Sequence, residues 1–139
     1  MGMRLELTRK TDYAIRAMLA LARGGDETLT SASISGLTGI PIRFVTQVMG
    51  HLVRAGLVRG VIGRSGGYRL AADPASISVL AIVEAVEGDT RRRHCVLRGG
   101  PCGKSSVCEI HHVFSDAQDA FTDSLSAWTL ATVATDESG

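Results

Sequence analysis

The stretch from residue 28 to residue 70, TLTSASISGLTGIPIRFVTQVMGHLVRAGLVRGVIGRSGGYRL, leaves few folds open. It begins with a Thr/Ser N-cap and a short helix expected to turn Ile34 and Leu37 inward. Gly39-Ile40-Pro41 then turns the chain, and Pro41 suits the first turn of the next helix, where its missing N–H costs nothing. That next helix lines up Val45, Val48, Met49 and Leu52 on one face and is closed by Gly56. Two helices joined by a short Gly-containing turn, the second one longer, match a helix-turn-helix. Directly afterwards LVRGVI and YRL flank GRSGG, the pattern of a hairpin with a glycine-rich tip. A hairpin behind a helix-turn-helix is a wing.

Apolar periodicity supplies the remaining elements. TRKTDYAIRAMLALARGG reads as a first helix with Ile15, Met18, Leu19 and Ala22 on its inner stripe, ended at Gly24–Gly25. ISVLAIVEAVEG reads as another, with Leu80, Ile82, Val83 and Val86 apolar. In EIHHVFSDAQDAFTDSLSAWTLATVA, residues Ile110, Val113, Phe114, Ala117, Phe121, Leu125 and Trp128 keep helical spacing along a single long helix. Its apolar stripe is longer than a small domain covers, so a second copy of the chain is the expected partner. The fold class is therefore mainly α: a winged helix-turn-helix with a small β-hairpin wing and a long C-terminal dimerisation helix. The expected division is a DNA-binding unit over 1–75 and a cysteine loop with the dimerisation helix over 76–139.

The recognition helix carries a second stripe opposite its apolar one. Arg43, Thr46, Gln47, Gly50 and Arg54 share a face with two cations, hydrogen-bonding side chains and no carboxylate. Charge agrees with a polyanionic partner. Residues 1–75 hold ten Lys/Arg against five Asp/Glu, and residues 76–139 hold five against nine, which together give the net +1 of the chain. Arg43, Thr46, Gln47 and Arg54, with Arg64, Ser65 and Gly66 at the wing tip, are the DNA-contact candidates. The expected target is a pseudo-palindromic double-stranded operator, with half-sites about one helical turn apart. No apolar run approaches the ~20 residues of a membrane span, and the first residues lack a secretory signal, so a cytoplasmic location is expected. No phosphate loop, paired acids or nucleophile–base–orienter set stands out, so no enzyme is expected.

Taken together, LTRKTDYAIRAMLALA, GIPIRFVTQVMGHLVRAGLV, GRSGGYRL and ISVLAIVEAVEG, followed by three spaced cysteines, resemble the Rrf2 family of winged-helix regulators over roughly residues 3–133. The resemblance implies a homodimer joined by its C-terminal helix. It also implies, as in the IscR-, NsrR- and RirA-like members, an iron–sulfur cluster in the loop before that helix. The chain departs from the family at the wing, where Ile62 stands in the usual place of an arginine and Arg64 follows two residues later.

All three cysteines lie between positions 95 and 108, in the order C-x6-C-x5-C-x2-H through Cys95, Cys102, Cys108 and His111. Zinc modules use closer Cys-x2-4-Cys knuckles. Wide spacers containing Gly99, Gly100 and Gly103 suit a larger inorganic unit, and iron–sulfur clusters normally take four protein ligands. Three thiolates leave one position open. By resemblance, His111 is placed like a histidine ligand of 2Fe–2S members, and Asp12 like an aspartate that reaches a 4Fe–4S cluster from the partner subunit. Both cluster types stay open. A harder donor binds iron less tightly than thiolate, which suits a sensor of nitric oxide, iron or cluster supply, or redox state. The expected function is a cluster-dependent repressor. The alternatives are a metal-free thiol/disulfide-switched repressor and a zinc-stabilised DNA-binding module.

Overall fold

The computed structural model describes residues 7–64, 66–88 and 111–136, His111 by its backbone alone. Their elements run α1 (Arg9–Arg23), α2 (Ser31–Thr38), α3 (Ile42–Arg54), β1 (Val58–Val61), β2 (Gly67–Leu70), a 3-10 turn (Pro74–Ser76), α4 (Val79–Glu87), α5 (His111–Ala127) and α6 (Leu130–Thr135). This is the mainly helical winged helix-turn-helix that the sequence leads one to expect. Among the described residues, no helix is long and apolar enough to cross a membrane.

Local chemistry sets the helix-turn-helix. Thr30 caps α2 by accepting a hydrogen bond from the Ser33 N–H at 3.0 Å. Gly39 ends α2 in the left-handed region at φ 78°, and its N–H donates to the Ser35 carbonyl. Pro41 occupies the N-cap of α3, one residue before the first helical turn. The expected α3 core stripe is the observed one: Val45, Val48, Met49 and Leu52 are all buried. On α2 the inward pair is different. Ile34 is buried, but Leu37 is 68% exposed, and Ile40 from the turn fills the space instead. The Ser35 hydroxyl donates to the Ile40 carbonyl at 2.6 Å and draws that residue in. The α1 stripe is also rotated from its expected position. Thr11, Ala14, Ala17, Met18 and Leu21 are buried, whereas Ile15, Leu19 and Ala22 pack at the core's margin.

The wing pairs β1 with β2 in antiparallel register, Val58 opposite Leu70 and Arg59 opposite Arg69. A further bridge between Leu29 and Tyr68 ties it to the helix-turn-helix, with N–H···O bonds of 2.9 and 2.7 Å. Gly67 makes this approach possible. A Cβ there would lie 2.4 Å from the Leu29 carbonyl oxygen, and its φ of +146° is one that side chains resist.

The long C-terminal run is two helices rather than one. Thr129 adopts an extended conformation and forms a reciprocal capping box with Thr132, which starts α6 afresh. Ser78 and Thr129 form a bridge, the Val79 N–H donates to the Trp128 carbonyl at 2.9 Å, and the Leu130 N–H donates to Ile77 at 2.8 Å. These bonds turn α6 back onto α1, and Leu130 joins the same core as Ile77 and Ile82. Ile110, expected at the start of the run, lies outside the described residues.

Candidate nucleic-acid interface

The polar stripe of α3 faces solvent: Arg43, Thr46, Gln47 and Arg54 are exposed, and Gly50 is half-buried between them. Each side chain is presented differently. The Arg43 guanidinium carbon sits 4.7 Å from the centroid of the Phe44 ring, a cation–π contact that supports a long side chain on a flat surface. Phe44 packs in turn against Tyr13 of α1, with ring centroids 5.8 Å apart. The Thr46 hydroxyl donates to the Ile42 carbonyl at 3.1 Å, so its methyl and an oxygen lone pair are what remain for a partner. Arg54 folds back along the helix, with Nη2 3.1 Å from His51 Nδ1. A guanidinium only donates, so Arg54 is the donor in this contact. A Cβ on Gly50 would lie 3.5 Å from Arg54 Nη1, an ordinary contact distance, so the guanidinium lies close over this bare position.

At the wing tip, Arg64 is exposed and Ile62 is 100% exposed. Gly66 donates its N–H to the Gly63 carbonyl at 2.9 Å. A Cβ on Gly66 would lie 2.6 Å from the carbonyl oxygens of Gly63 and Val61, so it contributes only backbone to this turn. Ser65 lies outside the described residues. Periodicity singled out neither Arg59 nor Arg69, yet both are exposed on the wing strands. Their strict alternation with inward Val58, Tyr68 and Leu70 was the available signal.

Of the candidate ligands, Cys95, Cys102 and Cys108 lie outside the described residues. His111 opens α5. Asp12 is an exposed residue in the first turn of α1, paired with Arg16 at 3.1 Å one helical turn away. One residue that sequence reasoning missed joins α4 to the start of α1. Glu87, at the end of α4, accepts at Oε1 from the Thr8 N–H at 3.1 Å, from the Thr11 hydroxyl at 2.6 Å, and from the Thr8 hydroxyl. Thr11 is fully buried. The last residue of α4 is thereby fastened to the first turn of α1.

Partial burial pushes the Glu87 carboxyl up, but the bonds from Thr11 and Thr8 and the nearby Lys10 charge outweigh it, so its pKa lies below the ordinary 4.5. A depressed folded-state pKa stabilises the protein above the unfolded value, and that contribution is lost as pH falls through the folded value. The stability gap between wild type and Glu87→Gln should therefore be constant above about pH 5 and shrink below it. Denaturant titrations at several pH values check this; a gap equally large at pH 3 would show that the charge on Glu87 contributes nothing.

Three comparisons bear on this arrangement. Residues 7–136 match the family profile described as Rrf2, iron-dependent transcriptional regulator. The chain is 34% identical over 133 residues to the HTH-type transcriptional regulator IscR of Vibrio vulnificus, covering 95% of this chain and 79% of that one. It is equally identical over 127 residues to IscR of Escherichia coli, covering 91% and 78%. Among solved structures, T. potens IscR superposes with a TM-score of 0.75 at 26% identity, covering 97% of this chain and 94% of that one. Staphylococcus aureus CymR in its oxidized form superposes with a TM-score of 0.76 at 25% identity, covering 97% and 100%.

Proposed function

The chain belongs to the Rrf2 family of transcriptional regulators, and from that membership we propose that it is a homodimeric repressor whose hold on its operator depends on an iron–sulfur cluster held by Cys95, Cys102 and Cys108. The observation that carries the DNA-binding part is the exposed, carboxylate-free stripe Arg43–Thr46–Gln47–Arg54 on α3, set beside the wing. Gln47 suits a bidentate contact to adenine, Arg43 a guanine or a phosphate, and the Thr46 methyl a thymine methyl. Arg64, with Ser65 and Gly66 next to it in the sequence, suits the narrow minor groove that attracts guanidinium groups. Exposed Val113 and Phe121 on α5, with Trp128 just past its end, support pairing with a second copy.

The donor set fits an iron–sulfur cluster: three thiolates, with His111 or Asp12 as the harder donor at the fourth position. When bound, such a cluster supplies a centre that oxygen, nitric oxide or iron shortage alters. The chain's own contacts offer a route from there to the DNA face. Glu87, eight positions before Cys95 in the chain, grips Thr8 and Thr11, and the next residues of α1 are Asp12 and Tyr13. Tyr13 lies against Phe44, and Phe44 carries Arg43. A displacement of the first turn of α1 is thus felt by a base-reading side chain through two packed rings.

The likeness to CymR in an oxidized form favours a second reading, in which the same cysteines act as a metal-free disulfide switch. Anaerobic purification with iron and sulfide analysis, followed by selection of duplexes from a random pool, separates the two. The cluster reading expects coloured protein with acid-labile sulfide and a pseudo-palindromic consensus. Colourless protein after reconstitution, with DNA binding governed by reversible disulfides, would overturn it in favour of the switch.

A further inference from the structure

Arg59 and Arg69 are directly opposed in the wing ladder. Opposed residues of an antiparallel pair share a face with Cβ atoms about 5 Å apart, and like charges so placed are destabilising. Their neighbours point the other way: Val58 is 3% exposed, and Leu70 and Tyr68 pack on the core. Both arginines are exposed, and among the described residues neither has an ion-pair partner. The wing therefore sets two arginines opposite each other on one face of a two-stranded ribbon, and among the described residues no ion pair offsets them. A phosphodiester is a group that turns this repulsion into attraction, because two planar forks can share its oxygens in charge-assisted bonds.

We propose that Arg59 and Arg69 form a clamp for one DNA backbone phosphate beside the site where α3 and the wing tip read the bases. The clamp rests on the DNA-binding reading given above and adds to it a phosphate contact made from the strands of the wing. It fixes the position of the wing on the duplex and carries no sequence information. The free protein bears the cost of the opposed charges, and bound DNA relieves it.

Two readouts of opposite sign test the clamp. Arg59→Gln and Arg69→Gln should each raise the melting temperature by about 1–3 °C at low ionic strength, with the gain vanishing at high salt. The same variants should weaken binding to a short mixed-sequence DNA duplex and lower the slope of log affinity against log salt by about 1. Arg69→Lys should keep the slope, because it keeps the charge. If wild type binds this duplex with a steep slope that both glutamine variants reproduce, the clamp is wrong and the DNA-binding reading stands. If wild type itself shows no salt-dependent DNA binding, the DNA-binding reading fails first, and the clamp with it.

Discussion

Replacing Leu130 with alanine is expected to lower the unfolding free energy by about 3 kcal/mol. The side chain is 1% exposed and joins the core formed by α1, α3 and α4, so truncation leaves a cavity that surrounding helices cannot readily close. The effect is amplified because α6 has only six residues, too few to persist without a tertiary anchor. Its attachment includes the Leu130 side chain and the two backbone bonds to Ile77 and from Val79, while the Thr129–Thr132 capping box only starts the helix. Loss of the anchor also frees the end of α5 from the reading domain, so weaker operator binding should accompany the loss of stability. Urea titration checks the first effect. Leu37→Ala, at a position 68% exposed, serves as the control and should change stability by less than about 0.5 kcal/mol. A Leu130→Ala loss no larger than that of the control would mean that α6 is peripheral to the fold.

The second large effect falls on recognition. Gln47→Ala should cost about 1–3 kcal/mol at each half-site, hence about thirtyfold or more in the affinity of a dimer for its selected operator. Affinity for mixed-sequence DNA should stay unchanged, since an uncharged side chain releases no counterions. Thr46→Val should be nearly silent by comparison, because the hydroxyl it removes already donates to the Ile42 carbonyl and the methyl is kept. Competition assays with operator and mixed-sequence duplexes at one salt concentration distinguish these outcomes. Equal losses on both duplexes would assign Gln47 to the phosphate backbone rather than to a base.

Much of this was legible because the signals are local. The Thr30 cap, the Gly39 turn and the glycine-rich tip each require particular residue types, so the helix-turn-helix and wing follow from short segments. The α3 core and its opposite polar stripe follow from a strong 3.6-residue period. What escaped was set by contacts distant in sequence. Leu37 has the right spacing to be buried, but Ile40 takes its place. The α5–α6 break depends on a bridge between Thr129 and Ser78, fifty-one positions apart in the chain, although the Thr129–Thr132 pair was a readable start signal. Glu87 looks like a solvated helix end until the fold brings Thr8 and Thr11 to it. Phe44 falls between the apolar and polar stripes of α3, and only its position between Tyr13 and Arg43 reveals its part in the DNA face. The opposed arginines of the wing needed the strand register to be seen as a pair.

The central claim is that the state of the cysteine segment governs the grip of α3 and the wing on DNA. Its most direct test is the dissociation constant for the selected operator, measured anaerobically on one preparation before and after chelation strips its iron, at matched ionic strength. The account predicts that stripped protein falls back toward its affinity for mixed-sequence DNA, a loss of about a thousandfold. Identical affinities for the loaded and stripped dimer would contradict it.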